Sequence, residues 1–148
     1  VVNTAGLLIK KPTDRLSIAE LTSLIGVNYT GAVNVAIAAK PYVLETSGML
    51  MNFTSSSYTR GRAFYAVYSS TNAAIVNFTQ ALAEEWSNEG IRVTCINPER
   101  TATPMRTANF GIEPAGLLLS AQEVALASLK VLGTQNTGII VDVRKDGR

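Results

Sequence analysis

The chain has 148 residues, of which 47% are hydrophobic and 16% charged, so its composition is that of one globular domain. Its formal net charge of +2 is too small, and its charges too evenly scattered, to indicate a nucleic-acid partner. Histidine is absent, which excludes Ser-His-Asp hydrolysis and the usual zinc sites, so we expect no metal. The single cysteine, Cys95, excludes an internal disulfide and favours a reducing, cytoplasmic setting.

Short apolar runs alternate with longer helical patterns along the chain. The patterns predict, in chain order, a strand at residues 1–2, a helix at 17–40, a strand at 48–55, a helix at 64–88, a strand at 92–97, an irregular stretch at 98–119, a helix at 120–132 and a strand at 138–143. Capping-box sequences at Ser17 and Ser120 start two helices, and Pro41 is expected to end or kink the first. This alternation predicts an α/β domain, with a parallel sheet, helices on both faces and right-handed crossovers.

The beginning of the chain and its apolar segments bear on domain organisation. The chain opens on an apolar strand end at Val1, where a domain rarely starts, so we expect residues 1–148 to form a single partial domain whose front is missing. The most apolar stretch, residues 24–44, is interrupted by polar residues and a proline, so we expect no membrane span. A sheet edge left bare by truncation would need a further segment or a second copy of the chain to cover it.

Three segments carry residues of types suited to chemistry on a ligand. Ser55 ends the second predicted strand, thirteen residues before Tyr68, and Tyr68 shares a helix face with Asn72 four residues later. In a parallel sheet flanked by helices, ligands bind beyond the carboxyl ends of the strands. We therefore expect the loops after Val2, Ser55 and Asn97 to face one site.

With this spacing the chain resembles the short-chain dehydrogenase/reductase family, which carries a Ser followed by Tyr-x-x-x-Lys and an Asn on the preceding helix. The matching residues are Ser55, Tyr68, Asn72 at the Lys position, Asn28, the turn Asn3-Thr4-Ala5-Gly6, the loop at residues 98–103 and the final strand. The resemblance covers essentially the whole chain. It implies the C-terminal part of a doubly wound, parallel-sheet Rossmann fold that lacks the first strands and the Gly-rich loop.

The resemblance also implies a role for each matching residue. Tyr68 would give a proton to a carbonyl oxygen, Ser55 would contact that oxygen, Asn28 would anchor a water in the proton path, and Asn72 would complete the catalytic set. The implied cofactor-binding residues are Asn3, Ala5, Gly6, Tyr68, Asn72, Pro98, Thr101 and Thr103. The implied cofactor is NADP, or alternatively NAD.

Two departures from the family pattern predict an impaired catalyst. The family has Lys where this chain has Asn72, and the ammonium both lowers the pKa of the tyrosine and holds the nicotinamide ribose. If the pKa of the tyrosine were two units higher without the Lys, the activation free energy would rise by about 2.7 kcal/mol and the rate would fall roughly a hundredfold. The 148 residues also contain no Gly-rich pyrophosphate loop, so we expect the chain alone to have negligible cofactor affinity.

A narrower resemblance lies in residues 53–62 and 97–106, which look like the reductase domain of bifunctional CDP-ribitol synthases. In that family a cytidylyltransferase domain is fused to a short-chain reductase, and the resemblance implies NADPH-dependent reduction of ribulose 5-phosphate to ribitol 5-phosphate. A sugar phosphate requires cations, and Arg suits bidentate phosphate contacts. The candidate substrate-binding residues are Ser55, Arg60, Arg62, Arg100 and Arg106.

Two alternatives stay open at this point. The chain is either part of an enzyme or a non-catalytic remnant that acts as an association module, forming a homo-oligomer through its two long helices as the resemblance implies. An enzyme of this kind could also reduce another carbonyl substrate, such as a ketoacyl thioester. The expected partners are a small-molecule sugar phosphate, a second copy of the chain, and a missing N-terminal segment or fused cytidylyltransferase domain. No nucleic acid or membrane is expected among them.

Overall fold

The structure is a computed structural model that describes residues 1–145 of the chain. Its four strands are β1 (Val2–Asn3), β2 (Met49–Phe53), β3 (Arg92–Pro98) and β4 (Ile140–Val143). All three neighbouring pairs are parallel, and the strand order across the sheet follows the order along the chain. The predicted parallel sheet is therefore confirmed, while the last three residues of the predicted 1–148 domain lie outside the described residues.

Helices connect each strand to the next. They are α1 (Ile18–Ile25), a π-helical turn (Gly26–Thr30), α2 (Gly31–Glu45), α3 (Ala66–Glu85), α4 (Pro104–Phe110) and α5 (Ala121–Leu132). The capping boxes predicted at Ser17 and Ser120 are both present. At the first, the Ser17 hydroxyl accepts from the Glu20 amide at 3.2 Å and the Glu20 carboxylate accepts from the Ser17 amide at 2.8 Å.

Both faces of the sheet are covered, but by different helices. Successive residues of β2 point to opposite faces, which separates two apolar clusters. Leu50 packs with Val43 of α2 and Leu82 of α3 on one face. Met51 packs with Val124 of α5 on the other face. The expectation of helices on both faces is therefore confirmed.

The crossovers do not all have the same hand. All three connections step in the same direction across the sheet, yet α2 and α3 lie on one face and α5 lies on the other. The connection from β3 to β4 therefore has the hand opposite to the first two, so the expectation of right-handed crossovers throughout is wrong. The long segment between β3 and α5, which includes α4, carries the chain past the carboxyl end of the sheet to the other face.

The first long helix differs from its predicted form in two ways. The π-helical turn Gly26–Thr30 interrupts it, and the helix then continues to Glu45 instead of ending near residue 40. Pro41 lies inside α2 on its exposed side, where the helix loses one backbone hydrogen bond without ending. π-helical turns of this kind often lie at functional sites, and this one contains Asn28.

A short helix lies in the stretch predicted to be irregular at residues 98–119. Thr103 caps α4 by accepting from the Arg106 amide at 3.1 Å, and Pro104 is the first helical residue. Gly111 follows with a φ of 76° and ends the helix. The prediction is wrong here because the Thr-Pro start and the Gly stop enclose only seven residues, which is too short for a clear apolar period.

By length and composition alone, the continuous helix over Ile18–Glu45 could cross a membrane. It has 28 residues, and its most apolar window has a mean hydropathy of 1.3 and is 22% buried. A core helix passes the same test, and Ala36 and Val43 of this helix pack into the apolar cluster beside the sheet. This is weak evidence for a span, and the expectation that no segment crosses a membrane stays a prediction.

Buried polar side chains link β2 to α3 through the middle of the fold. Asn52 is fully buried, and its amide donates to the Thr79 hydroxyl at 3.1 Å. Its amide oxygen accepts from Asn3 of β1 at 3.4 Å. Thr79 also lies beside Cys95 of β3, whose thiol has its pKa raised to about 12 by burial. The predicted core role of Cys95 agrees with this environment, because such a thiol is neutral and unreactive at ordinary pH.

Replacing Thr79 with Val should destabilise the chain without changing the volume of the core. The change removes the acceptor of the Asn52 amide, and a buried polar group without its partner costs about 1–3 kcal/mol. Urea denaturation should show this loss in the free energy of unfolding. Thr79→Ser keeps the hydroxyl but loses a buried methyl group, which costs about 0.8 kcal/mol. A Val variant as stable as the unaltered chain would contradict the account.

Candidate active site

A cavity of about 560 Å³ lies beyond the carboxyl ends of β2 and β3, where the parallel sheet was expected to place its ligand site. We call it the catalytic cavity. Its lining residues come from the segments after β1, β2 and β3 and from the start of α3: Thr4, Leu8, Thr54, Ser55, Ser56, Ser57, Arg62, Tyr65, Tyr68, Pro98, Glu99, Arg100, Thr101, Thr103, Pro104, Met105, Arg106 and Phe110. The three loops predicted to face one site thus do so.

Ser55 is held at the end of β2 by the turn that follows it. Its backbone is extended, and its side chain caps the 3₁₀ turn Ser56–Tyr58 by accepting from the Ser57 amide at 3.4 Å. The Ser57 hydroxyl lies 3.3 Å from the Ser55 hydroxyl. Because these partners restrict its rotamer, Ser55 presents a positioned hydroxyl to the catalytic cavity.

Tyr68 lies in the first turn of α3 and lines the same cavity. Burial raises the pKa of its phenol above the ordinary value. Side-chain hydrogen bonding with Ser55 and with Asn72 lowers the pKa, as does the charge of Arg106, but burial outweighs them. The phenol is therefore protonated at neutral pH, so it can donate a proton but is a weak acid.

Asn72 is turned inward, behind Tyr68. Its side-chain amide donates to the Tyr68 carbonyl oxygen at 2.8 Å, and its amide oxygen accepts from the Thr54 hydroxyl at 3.3 Å. The residue is only 7% exposed and does not line the catalytic cavity. Asn72 therefore supplies no positive charge to the site, and its amide is bonded mainly to Thr54 and to the Tyr68 backbone.

Asn28 joins the π-helical turn to the segment that follows β1. Its amide oxygen accepts from the Leu7 amide at 2.7 Å, and its amide nitrogen donates to the Leu7 carbonyl at 2.9 Å. The same nitrogen donates to the Thr71 hydroxyl at 3.2 Å. Asn28 thus links three parts of the site while lying outside the catalytic cavity, and its role in anchoring a water stays a prediction.

Three of the four predicted arginines line the catalytic cavity, and the fourth does not. Arg106 is already paired with Glu113, at 2.6 and 3.0 Å, and lies 3.9 Å above the Phe110 ring. Arg62 makes no ion pair within residues 1–145, which makes its charge the more available one. Arg60 is exposed and lies outside the cavity.

The family model of the short chain dehydrogenases matches residues 1–111, three quarters of the chain. The chain belongs to the short-chain dehydrogenase family.

Two relatives agree with this assignment. The chain is 56% identical over 143 residues to the bifunctional ribulose 5-phosphate reductase/CDP-ribitol pyrophosphorylase Bcs1 of Haemophilus influenzae, covering 97% of this chain and 30% of that protein. It is 34% identical over 134 residues to an oxidoreductase of Staphylococcus epidermidis, covering 89% of this chain and 57% of that protein. The chain thus spans less than two thirds of the length of these relatives.

Solved structures of short-chain dehydrogenases share the fold. A 3-ketoacyl-(acyl-carrier-protein) reductase from Brucella melitensis, complexed with NADH, has a TM-score of 0.87 and 27% identity, over 96% of this chain and 64% of that one. A short chain dehydrogenase from Salmonella enterica serovar Typhi has a TM-score of 0.89 and 28% identity, over 97% of this chain and 61% of that one. The predicted identification of the chain as the C-terminal part of a Rossmann fold agrees with these similarities.

The predicted cofactor residues of this short-chain dehydrogenase fall into two groups. Pro98, Thr101 and Thr103 line the catalytic cavity together with Tyr68, and their contact with a nicotinamide ring stays a prediction. The Thr103 hydroxyl is already engaged as the cap of α4. Asn3, Ala5, Gly6 and Asn72 lie outside the cavity. In the turn after β1, the Asn3 amide oxygen accepts from the Ala5 amide at 3.3 Å, and only Thr4 reaches the cavity.

The apolar wall of the catalytic cavity was not predicted from the sequence. Leu8, Tyr65, Met105 and Phe110 form it, with the Tyr65 ring 5.8 Å from that of Phe110 and 6.2 Å from that of Tyr68. These residues come from three distant segments, so no spacing along the chain joins them. Phe64 is a second missed feature, because its φ of 69° is unusual for a bulky residue and often marks a functional site.

Replacing Asn28 with Ala should release the segment after β1 from the π-helical turn. The Leu7 amide would lose its acceptor, and we expect stability to fall by about 1–3 kcal/mol. Hydrogen exchange should show faster exchange of the Leu7 amide, whereas Asn34→Ala, an exposed position on α2, should leave it unchanged. Full protection of Leu7 in Asn28→Ala would show that another group holds this segment.

Proposed function

We propose that this chain is part of an NADP-dependent reductase that converts ribulose 5-phosphate to ribitol 5-phosphate, toward CDP-ribitol. The observation that carries the proposal is the catalytic cavity, in which Ser55 and Tyr68 face the same space as Arg62 and Arg100. A site that reduces a sugar phosphate needs both a proton donor beside the carbonyl and cations for the phosphate. The 56% identity to the Haemophilus influenzae protein supports this substrate.

The chemistry divides between the cofactor and the chain. When bound, the nicotinamide cofactor supplies the hydride that reduces the carbonyl carbon. The Ser55 hydroxyl donates a hydrogen bond to the carbonyl oxygen, where negative charge develops. Tyr68 then transfers its phenolic proton to that oxygen and recovers a proton from solvent, through the path in which we place Asn28. The carbonyl group, one hydride and one proton thus together give the alcohol.

The cofactor assignment rests on relatives and on the lining of the cavity. The Brucella melitensis neighbour is complexed with NADH, which supports a nicotinamide cofactor in general. We propose that Pro98, Thr101 and Thr103 face the nicotinamide end and that Asn3, Ala5 and Gly6 approach the ribose side. NADP is the proposed form because the resemblance to the reductase domain of CDP-ribitol synthases implies it, and NAD is the alternative.

The apolar outer faces of the long helices suggest an association role as well. Ile37, Tyr42 and Leu44 of α2 are exposed, and α2 lies beside α3 on one face of the sheet. We propose that two copies pair through these helices, as a cytoplasmic homo-oligomer. A cytidylyltransferase domain fused to the reductase is a further proposal, based on the two activities in the name of the Haemophilus influenzae protein.

A specific observation favours the alternative that the chain is a non-catalytic association module. Asn72 occupies the position of the family's Lys, yet it is neutral, buried and bonded internally. Without that positive charge, burial leaves the pKa of Tyr68 above its ordinary value. The apolar wall formed by Leu8, Tyr65, Met105 and Phe110 would in turn suit a ketoacyl thioester, the other substrate class considered.

Asn72→Lys should restore reductase activity if the roles of Tyr68 and Asn72 are correct. The test protein is this chain joined to the remainder of the reductase domain, taken from the Haemophilus influenzae protein, and the measurement is NADPH oxidation with ribulose 5-phosphate. Two pKa units of tuning correspond to about 2.7 kcal/mol, so kcat should rise roughly a hundredfold.

Two controls make that measurement specific. Asn77→Lys adds the same charge at an exposed position of α3 and should not raise kcat. Tyr68→Phe in the Asn72→Lys background should abolish the gain. No gain from Asn72→Lys would refute the assigned roles, and activity on acetoacetyl thioester but not on ribulose 5-phosphate would favour the other substrate class.

A further inference from the structure

A second cavity, of about 310 Å³, adjoins the catalytic cavity, and its lining is polar. We call it the polar cavity. Its lining residues are Ser56, Tyr58, Thr59, Arg62, Asn97, Glu99, Arg100, Leu117, Asp142 and Arg144. Ser56, Arg62, Glu99 and Arg100 line both cavities, so the two spaces share a boundary. At about 30 Å³ for each water, the polar cavity has room for a ligand the size of roughly ten water molecules.

The polar cavity exists because of how the chain reaches β4. Asn97 of β3 pairs with Asp142 of β4, and Cys95 and Ile140, two residues earlier on these strands, pack on the α3 face. Asn97 and Asp142 therefore point to that face. Since α5 crosses on the opposite face, no helix of that connection covers Asn97 and Asp142, and these polar side chains meet a cavity instead of an apolar core.

Asn97 contains a buried acceptor that has no partner. The residue is 6% exposed, and its side-chain amide donates to the Asp142 carboxylate at 2.7 Å. This bond fixes the orientation of the amide, because the opposite orientation would bring two acceptor oxygens together. No group within residues 1–145 donates to the Asn97 amide oxygen. Buried acceptors are almost always bonded to protein, ligand or ordered water, so this oxygen is available to a hydrogen-bond donor from outside the described residues.

The charges around the polar cavity are unevenly compensated. Arg144 is paired with Asp142 at 2.5 Å and with Glu99 at 3.6 Å. Arg100 makes only a loose contact with Glu113 at 3.8 Å, and Arg62 makes no ion pair within the described part of the chain. The least compensated positive charges, Arg62 and Arg100, thus lie at the boundary between the two cavities, and Asn97 lines the polar one.

We propose that the polar cavity is a binding subsite for an open-chain polyol phosphate, in which Asn97 accepts from a ligand hydroxyl and Arg62 with Arg100 binds the phosphate. This rests on the proposed function for the orientation of the substrate, whose carbonyl would lie at Ser55 in the catalytic cavity. A ketoacyl chain offers no hydroxyl donor for Asn97. The subsite would therefore select sugar phosphates over apolar carbonyl substrates.

Binding of ribitol 5-phosphate to the 148-residue chain tests the subsite without turnover or cofactor. In ¹⁵N spectra, ribitol 5-phosphate should shift the Asn97 side-chain amide signals, whereas inorganic phosphate should not. Titration calorimetry should give weaker binding in Asn97→Leu, by about threefold to tenfold, and in Arg62→Gln, by about tenfold or more. Arg15→Gln, which removes an exposed arginine elsewhere, should leave the affinity unchanged.

The outcomes separate the subsite from the proposed function. Unshifted Asn97 signals, or equal binding of ribitol 5-phosphate and inorganic phosphate, would overturn the subsite, and the signal readout needs no variant to fold. Asn97-dependent binding together with no reduction of ribulose 5-phosphate by the joined Asn72→Lys protein would support the subsite and refute the function. Reduction with a KM that Asn97→Leu leaves unchanged would support the function and overturn the subsite.

Discussion

The site depends on the contact that fixes the start of α3 against the end of β2. The Thr54 hydroxyl donates to the Asn72 carbonyl oxygen at 3.0 Å and lies 3.3 Å from the Asn72 amide oxygen. Thr54 directly precedes Ser55, and Asn72 lies one helical turn after Tyr68. This buried contact therefore sets the position of Tyr68 relative to the Ser55 hydroxyl. One of its two residues, Asn72, is also the residue whose neutral side chain limits proton transfer.

The substitution of a neutral residue at position 72 changes the electrostatics more than the shape of the site. Asn72 satisfies its own polar groups through Thr54 and the Tyr68 carbonyl, so the fold is maintained. What is lost is the positive charge that would favour the tyrosinate. Burial then outweighs the hydrogen bonds of Ser55 and Asn72, and the pKa of Tyr68 stays raised. The chain can therefore keep the geometry of the site while Tyr68 transfers its proton less readily.

Much of this arrangement could be predicted from the sequence, for identifiable physical reasons. The strand ends at Ser55 and Asn97 follow strongly apolar runs, and parallel strands bring such ends together. The capping boxes at Ser17 and Ser120 are local signals that need no tertiary information. The hand of the last crossover, the π-helical turn around Asn28 and the inward bonds of Asn72 could not be predicted, because they depend on packing between distant segments.

Both cavities are related to the unusual hand of the connection from β3 to β4. Because the chain after β3 passes across the carboxyl end of the sheet to reach α5, α4 and its flanks form one wall of the catalytic cavity. On the face of the sheet opposite α5, Asn97 and Asp142 line the polar cavity beside β4. The segments after β2 and β3 thus place Ser55, Tyr68 and the arginines around the catalytic cavity, and the long connection after β3 adds its α4 wall.

The most direct test of this account is the pKa of Tyr68, measured by NMR titration of chain labelled with ¹³C at the tyrosine ζ carbon. Tyr68→Phe would identify the signal among the five tyrosines. The account predicts a pKa above the ordinary value of 10.0 in the chain as it stands, because burial outweighs the neighbouring hydrogen bonds. It also predicts a fall of about one to two units in Asn72→Lys. A pKa at or below the ordinary value in the unaltered chain, or one that Asn72→Lys does not lower, would contradict it.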